Sequence, residues 1–99
     1  MVDLIAGLRA EVVRRNLERV RAEIADAGRD PAEVEILAAI KYLPAAELAA
    51  LADGGVTVVG ENRAQELAAK ADAYPGRFTW DFIGQLQSRK VRTVLPYVR

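Results

Sequence analysis

Residues 34–44 read VEILAAIKYLP. Ile36 to Ile40 is an almost unbroken apolar run, and Lys41 stands at its end, ahead of Tyr42, Leu43 and Pro44. Such a run suits a strand buried on both faces, as parallel strands are when helices cover them. A strand is therefore expected over Val34–Ile40. Alternation places Glu35, Leu37, Ala39 and Lys41 on one face and Ile36, Ala38 and Ile40 on the other. In parallel α/β folds functional groups gather at the C-terminal ends of the strands, which is where Lys41 would stand. An ammonium beside buried apolar surface needs a partner or a lowered pKa. A desolvated lysine is also the side chain that forms a Schiff base with an aldehyde. The competing reading is a lysine that leaves the strand and carries its charge to water on its alkyl stem. Position leaves both open.

The pattern repeats downstream. Val56–Val59 is a second short β-branched run, ended by Gly60, and Thr79–Ile83 is a third, ended by Gly84. Between the first two lies an alanine-rich helix, Ala45–Ala52, opened near Pro44 and stopped by Asp53-Gly54-Gly55. Asn62 and Gln65 have the spacing of a capping box and open a helix to about Tyr74, where Pro75-Gly76 breaks it. Ser88 is expected to cap a last helix running to about Leu95, before Pro96. Upstream, Leu4, Ile5, Leu8, Val12, Leu17, Val20 and Ile24 recur at helical spacing, so one helix is expected over Asp3–Ala27, with Asp3 as N-cap and Gly28 ending it. Arg29-Asp30-Pro31 is a turn. The order is a helix followed by three strand–helix units, an α/β fold with parallel strands joined by right-handed crossovers. The three units share no common residue pattern, which argues against a solenoid.

Composition bounds the chemistry. The 99 residues support one small domain, with 52% apolar and 28% charged residues. Fourteen acidic and fourteen basic residues cancel, so no global field selects nucleic acid or an anionic membrane. No cysteine or histidine is present, which excludes disulfides, thiolate nucleophiles, zinc fingers and histidine acid–base catalysis within the chain. No apolar run approaches the roughly 20 residues of a membrane span, and charges at Asp3, Arg9, Glu11, Arg14 and Arg15 fit no secretory signal. A cytoplasmic location is the expectation. Arg89, Lys90, Arg92 and Arg99 form the one local excess of positive charge, read as a solvated face in preference to a phosphate or RNA contact. Two loops would share the rim with Lys41: Gly60-Glu61-Asn62 and Gly84-Gln85-Leu86-Gln87-Ser88. Each also reads as a plain connection between strand and helix.

Three segments taken together carry a resemblance. VEILAAIKYLP at 34–44, GENRAQE at 60–66 and WDFIGQLQSRKVR at 80–92 are similar, in order and spacing, to pyridoxal phosphate homeostasis proteins of the YggS/PROSC type. That family has a cofactor lysine at the end of its first strand, a GEN-x-x-Q-E segment after the second and a W-H-F-I-G-x-L-Q-x-N-K segment at the third. The resemblance implies a (β/α)8 barrel like that of alanine racemase, of which residues 1–99 would form a single partial domain, the first helix and three βα units. It implies pyridoxal 5′-phosphate as cofactor, held as a Schiff base on Lys41, with Asn62 beside it and Ile83 and Gly84 on the rim. It further implies a carrier or regulator of the cofactor that affects amino- and keto-acid balance, not a robust enzyme. Ile40 stands where the family commonly has a serine or threonine, Asp81 replaces its histidine and Arg89 its asparagine.

Such proteins run to more than twice this length, and the phosphate cradle and the arginine facing the pyridine nitrogen lie in their later strands. The resemblance thus implies that this chain alone binds the cofactor weakly or not at all. Two alternatives accompany it. One is a racemase-like enzyme, which needs a second base, commonly a tyrosine, opposite the lysine; Tyr42 would point to the opposite side if the strand continued. The other is a structural or interaction domain that associates with itself through the exposed sheet edge.

Overall fold

The computed structural model describes residues 4–99. Its order is helix α1 (Ala10–Asp26), strand β1 (Leu37–Ala39), helix α2 (Leu48–Asp53), strand β2 (Val58–Glu61), helix α3 (Ala64–Ala73), strand β3 (Thr79–Phe82) and helix α4 (Val91–Val94). Short 3₁₀ turns, Pro31–Glu33, Ala45–Glu47 and Ser88–Lys90, precede β1, α2 and α4. The three strands form one sheet in the order β1-β2-β3, every pair parallel. This is the expected α/β arrangement of an N-terminal helix and three βα units. Val98 makes one further parallel bridge, to Trp80 on the outer side of β3.

One face of the sheet carries the core. Ile40, Val59 and Trp80 meet Val13 and Leu17 of α1, Leu48 and Leu51 of α2, and Leu67 and Ala71 of α3 in a single cluster. Phe78 packs edge-on against both Tyr74 and Trp80, which seats the loop between α3 and β3. The other face bears Leu37, Gly60 and Ile83: a Cβ on Gly60 would lie 2.8 Å from Leu37 Cδ2 and 3.1 Å from two Ile83 carbons. Among the described residues no helix covers it.

Several boundaries differ from the sequence expectation. Helix α1 begins at Ala10, not near Asp3, which lies outside the described residues. Gly7 takes φ +70°, and the N–H groups of Gly7 and Leu8 donate to the Glu47 carboxylate at 2.9 and 3.1 Å. That side-chain capture satisfies the backbone outside a helix, so residues 4–9 follow a separate path. Strand β1 is shorter than Val34–Ile40 because the Pro31–Glu33 turn, capped by Asp30 Oδ1 on Ala32 N at 3.0 Å, occupies the preceding residues. Strand β2 starts and ends two residues later than expected and runs through Gly60, which pairs with both Ala39 and Asp81 instead of ending the strand. The Asn62–Gln65 capping box does not form: α3 starts at Ala64, and its N-cap is Arg63 with no side-chain bond. Ser88 likewise is no cap; it opens a 3₁₀ turn whose N-cap is Gln87.

Candidate functional site

The C-terminal ends of the three strands meet at one rim. Beyond β1 the chain turns sharply: Leu43 N–H donates to the Ile40 carbonyl at 3.0 Å, closing a four-residue turn with Lys41 and Tyr42 at its tip. Ile5 N–H donates to the Tyr42 carbonyl at 2.9 Å, so the N-terminal segment braces the same turn. At the ends of β2 and β3 the Ile40 N–H reaches the Gly60 carbonyl and the Ile83 N–H reaches the Glu61 carbonyl, both at 3.0 Å. Parallel pairing therefore continues one residue past β1 and β3 and sets the three loop entries side by side.

Lys41, Asn62, Ile83 and Gly84, with Ala39, line one open cleft of about 270 Å³. The structure thus brings all four sequence-selected residues together. Gly84 takes φ +105°, a conformation that a side chain would strain, and a Cβ there would come within 3.8 Å of Asn62 Cβ. Lys41 also borders two neighbouring depressions, one with Leu4, Tyr42, Asn62 and Arg63 and one with Leu43, Pro44, Arg63 and Glu66.

Of the two readings that position leaves open for Lys41, the structure shows the one in which it has left the strand and faces solvent. Its side chain is exposed, and among the described residues it makes no ion pair; its Nζ lies 4.9 Å from the centroid of the Tyr42 ring. The strand has ended by Ala39, so alternation no longer sends Tyr42 to the far side, and the ring meets the ammonium from the turn. An exposed primary amine on a rigid turn, facing an open cleft with an amide side chain across it, is competent to condense with an aldehyde brought there. Those residues fit the aldehyde end of a pyridoxal cofactor.

The buried lysine is Lys70, which sequence reasoning missed. It is 3% exposed, and Glu61, at the end of β2, is 1% exposed. Lys70 Nζ donates to Glu61 Oε2 at 2.6 Å and to the Ile40 carbonyl at 3.2 Å. Glu61 Oε1 accepts the Asn62 N–H at 2.9 Å. The signal was present in the sequence: Ala64, Leu67, Lys70 and Ala71 share one stripe of α3 at helical spacing, and a cation on an apolar stripe calls for a buried anion.

On the uncovered sheet face Arg99 Nε and Nη2 reach Asp81 at 2.8 and 3.0 Å, and its Nη1 reaches Glu35, ahead of β1, at 2.9 Å. The guanidinium holds the Glu35 carboxyl below its ordinary range, and the two carboxylates push Arg99 further up. Of the basic cluster, Arg89 donates to Gln87, and Lys90 borders a separate depression with Asn62, Gln65 and Gln87. Among the described residues no group of acids could hold a metal ion, and no helix is long and apolar enough to cross a membrane.

No protein-family model matches the chain. Curated relatives do. It is 38% identical to the pyridoxal phosphate homeostasis protein of Pseudomonas aeruginosa over 89% of its own length and 39% of that protein's. The Escherichia coli K12 protein of the same name is also 38% identical, over 86% and 40%, and that of Mycobacterium leprae 33%, over 97% and 42%. Among solved structures, an unknown protein from Bifidobacterium adolescentis superposes with a TM-score of 0.77 at 35% identity, covering 98% of this chain and 46% of that one. PipY of Synechococcus elongatus, solved with pyridoxal phosphate bound, gives 0.70 at 30% identity, covering 87% and 39%. The chain spans about two-fifths of the length of these curated relatives. In sequence and in fold, then, the chain is a relative of the pyridoxal phosphate homeostasis proteins, matched over nearly all of its own length and the smaller part of theirs.

Proposed function

We propose that this chain contributes the covalent attachment point of a pyridoxal 5′-phosphate site in a cytoplasmic protein that handles the cofactor without turning over a substrate of its own. The observation that carries this reading is the convergence of Lys41, Asn62, Ile83 and Gly84 on one cleft at the C-terminal ends of three parallel strands. Lys41 would hold the cofactor through an imine at Nζ, and Asn62 would sit beside the ring. When bound, the cofactor supplies an electron-withdrawing ring conjugated to that imine. The chain's own residues orient the amine and keep it open to solvent: the Ile40–Leu43 turn fixes its direction, and Tyr42 gives its ammonium an aromatic face. Kinship with proteins named for pyridoxal phosphate homeostasis, and with PipY holding that cofactor, supports the same reading.

The three lysines make the test internal to one molecule, since Lys41 is exposed, Lys90 is partly exposed and Lys70 is buried. The protein is incubated with pyridoxal 5′-phosphate, reduced with borohydride, digested and mapped by mass spectrometry. Reduced adduct is expected predominantly on Lys41 and absent from that peptide in Lys41→Ala. Equal labelling of Lys41 and Lys90 would reject the assignment, because it would mean that the rim adds nothing to the intrinsic reactivity of an accessible amine.

A further inference from the structure

We propose that Lys70 is a positioning residue for Lys41: its buried ammonium clamps the turn that presents Lys41 and couples it to the strand end that presents Asn62. This rests on the cofactor reading of the cleft and adds to it a residue that lines the back of the rim.

The Ile40 carbonyl is the acceptor that closes the Lys41 turn, through Leu43 N–H at 3.0 Å, and the same oxygen receives Lys70 Nζ at 3.2 Å. A carbonyl has two lone pairs, and here one is used by the turn and the other by the clamp. Lys70 is anchored in turn by Glu61 Oε2 at 2.6 Å, while Glu61 Oε1 takes the Asn62 N–H at 2.9 Å. Glu61 also accepts the Ile83 N–H on its main-chain carbonyl at 3.0 Å. One buried pair therefore joins the turn that bears Lys41, the residue that bears the Asn62 amide and the first residue past β3. No buried side-chain polar atom among the described residues is left without a partner, and a buried polar network whose members are partnered rigidifies its surroundings. The physics of the arrangement argues against a purely structural role for the pair. A buried ion pair is weak as a stabilising device compared with apolar packing of the same volume, whereas a network that fixes the geometry of functional groups does what apolar packing cannot.

The clamp has a readout of its own. Lys70→Met alone would leave the Glu61 carboxylate buried and unpaired, so the decisive variant is the double substitution Glu61→Gln, Lys70→Met. The glutamine introduced at position 61 still offers an oxygen to Asn62 N–H, and no buried charge remains. Two quantities are compared with the parent protein: the ratio of borohydride-trapped pyridoxal phosphate on Lys41 to that on Lys90, and the amide hydrogen exchange of Leu43, which reports the turn directly. The Lys41:Lys90 ratio is expected to fall roughly tenfold, the scale set by loss of orientation at a reacting group, and Leu43 exchange to accelerate, while the melting temperature stays close to that of the parent. An unchanged ratio together with unchanged Leu43 exchange would overturn the proposal. Should the parent protein itself show no preference for Lys41, the cofactor reading fails, and faster Leu43 exchange in the double variant then supports the clamp separately.

Discussion

Gly60 occupies the point where the rim leaves no room. A Cβ there would stand 2.8 Å from Leu37 Cδ2 and 3.1 Å from Ile83 Cδ1 and Cγ2. Gly60→Ala has a gain to set against this clash, since it removes about 0.4–1 kcal/mol of unfolded-state entropy where the backbone allows it. Overpacking costs about 1–3 kcal/mol, and the crowded Ile83 is one wall of the cleft, so the clash wins. The variant is expected to be less stable by about 1 kcal/mol, read from the urea midpoint, and to trap less cofactor on Lys41. A midpoint at or above that of the parent would show that Leu37 and Ile83 rotate away freely. At this scale the sequence was legible where chemistry stands at a strand end and opaque where it is buried. Lys41 and Asn62 could be placed on one rim because an apolar run ends in the first and GENRAQE sets the second after the next strand. The pair Glu61–Lys70 escaped because Glu61 reads as part of a loop after Gly60; with the strand expected to end two residues too early, nothing marks its side chain as inward. Nor could spacing reveal that Lys41 is exposed, since that depends on the turn at Ile40–Leu43.

Elements were recognisable in kind and order, while their ends were decided by contacts that no local pattern shows. The N-terminus of α1 is the clearest case. Leu4, Ile5 and Leu8 continue the helical spacing, but Glu47, about forty residues away, takes the Gly7 and Leu8 N–H groups and releases the segment from the helix. Where α1 meets α2 the tolerance is small. A Cβ on Gly54 would lie 2.5 Å from both Cβ and Cγ1 of Val13 and 2.9 Å from the Ala10 carbonyl oxygen. Arg14 Nη2 bonds the neighbouring Asp53 carbonyl at 3.0 Å and holds the two helices in that register. Gly54 has φ −77° and ψ −7° at the end of α2, a conformation alanine adopts readily, so helix propensity alone would favour Gly54→Ala by at most about 1 kcal/mol. The opposing contact involves backbone of a 17-residue helix, which cannot rotate aside as a side-chain tip can. The expected outcome is a net loss of about 2 kcal/mol and a lower melting temperature, with the far-UV spectrum of the folded state retained. A melting temperature equal to that of the parent would mean that α1 shifts without cost and that the close approach is incidental to packing.

Across the whole molecule, the last residues close onto the first half of the chain through charge. Helix α1 buries only Val13 and Leu17, both in its first half. With so small a core, the polar contacts of the C-terminal turn bear on how the sheet face is held. Arg99 bridges Glu35, just before β1, to Asp81 in β3, and Tyr97 donates its hydroxyl to Asp72 at 2.9 Å. These two contacts respond to pH in opposite directions. The Glu35 carboxyl is held below its ordinary 4.5, first by its hydrogen bonds to Arg99. A depressed acid stabilises the fold above its unfolded value and loses that contribution as pH falls through the lower folded value. The Tyr97 phenol is held above its ordinary 10.0, first by its hydrogen bond to Asp72. A raised group contributes in full below its unfolded value and loses the contribution as pH rises through the folded one. Stability should therefore fall at both ends, below about 4.5 through Glu35 and above about 10 through Tyr97. Melting temperature measured from acid to alkaline pH checks this with two variants: Glu35→Gln should flatten the acid limb and leave the alkaline limb alone, and Tyr97→Phe should do the reverse. Glu35 is exposed and Tyr97 partly so, and their contacts are screened by salt, so each flattening should be modest and should shrink as ionic strength rises. If Glu35→Gln leaves the acid limb as steep as in the parent at low salt, the Arg99 bridge does not couple the two ends of the sheet, and the open face is held together by the apolar cluster on its other side.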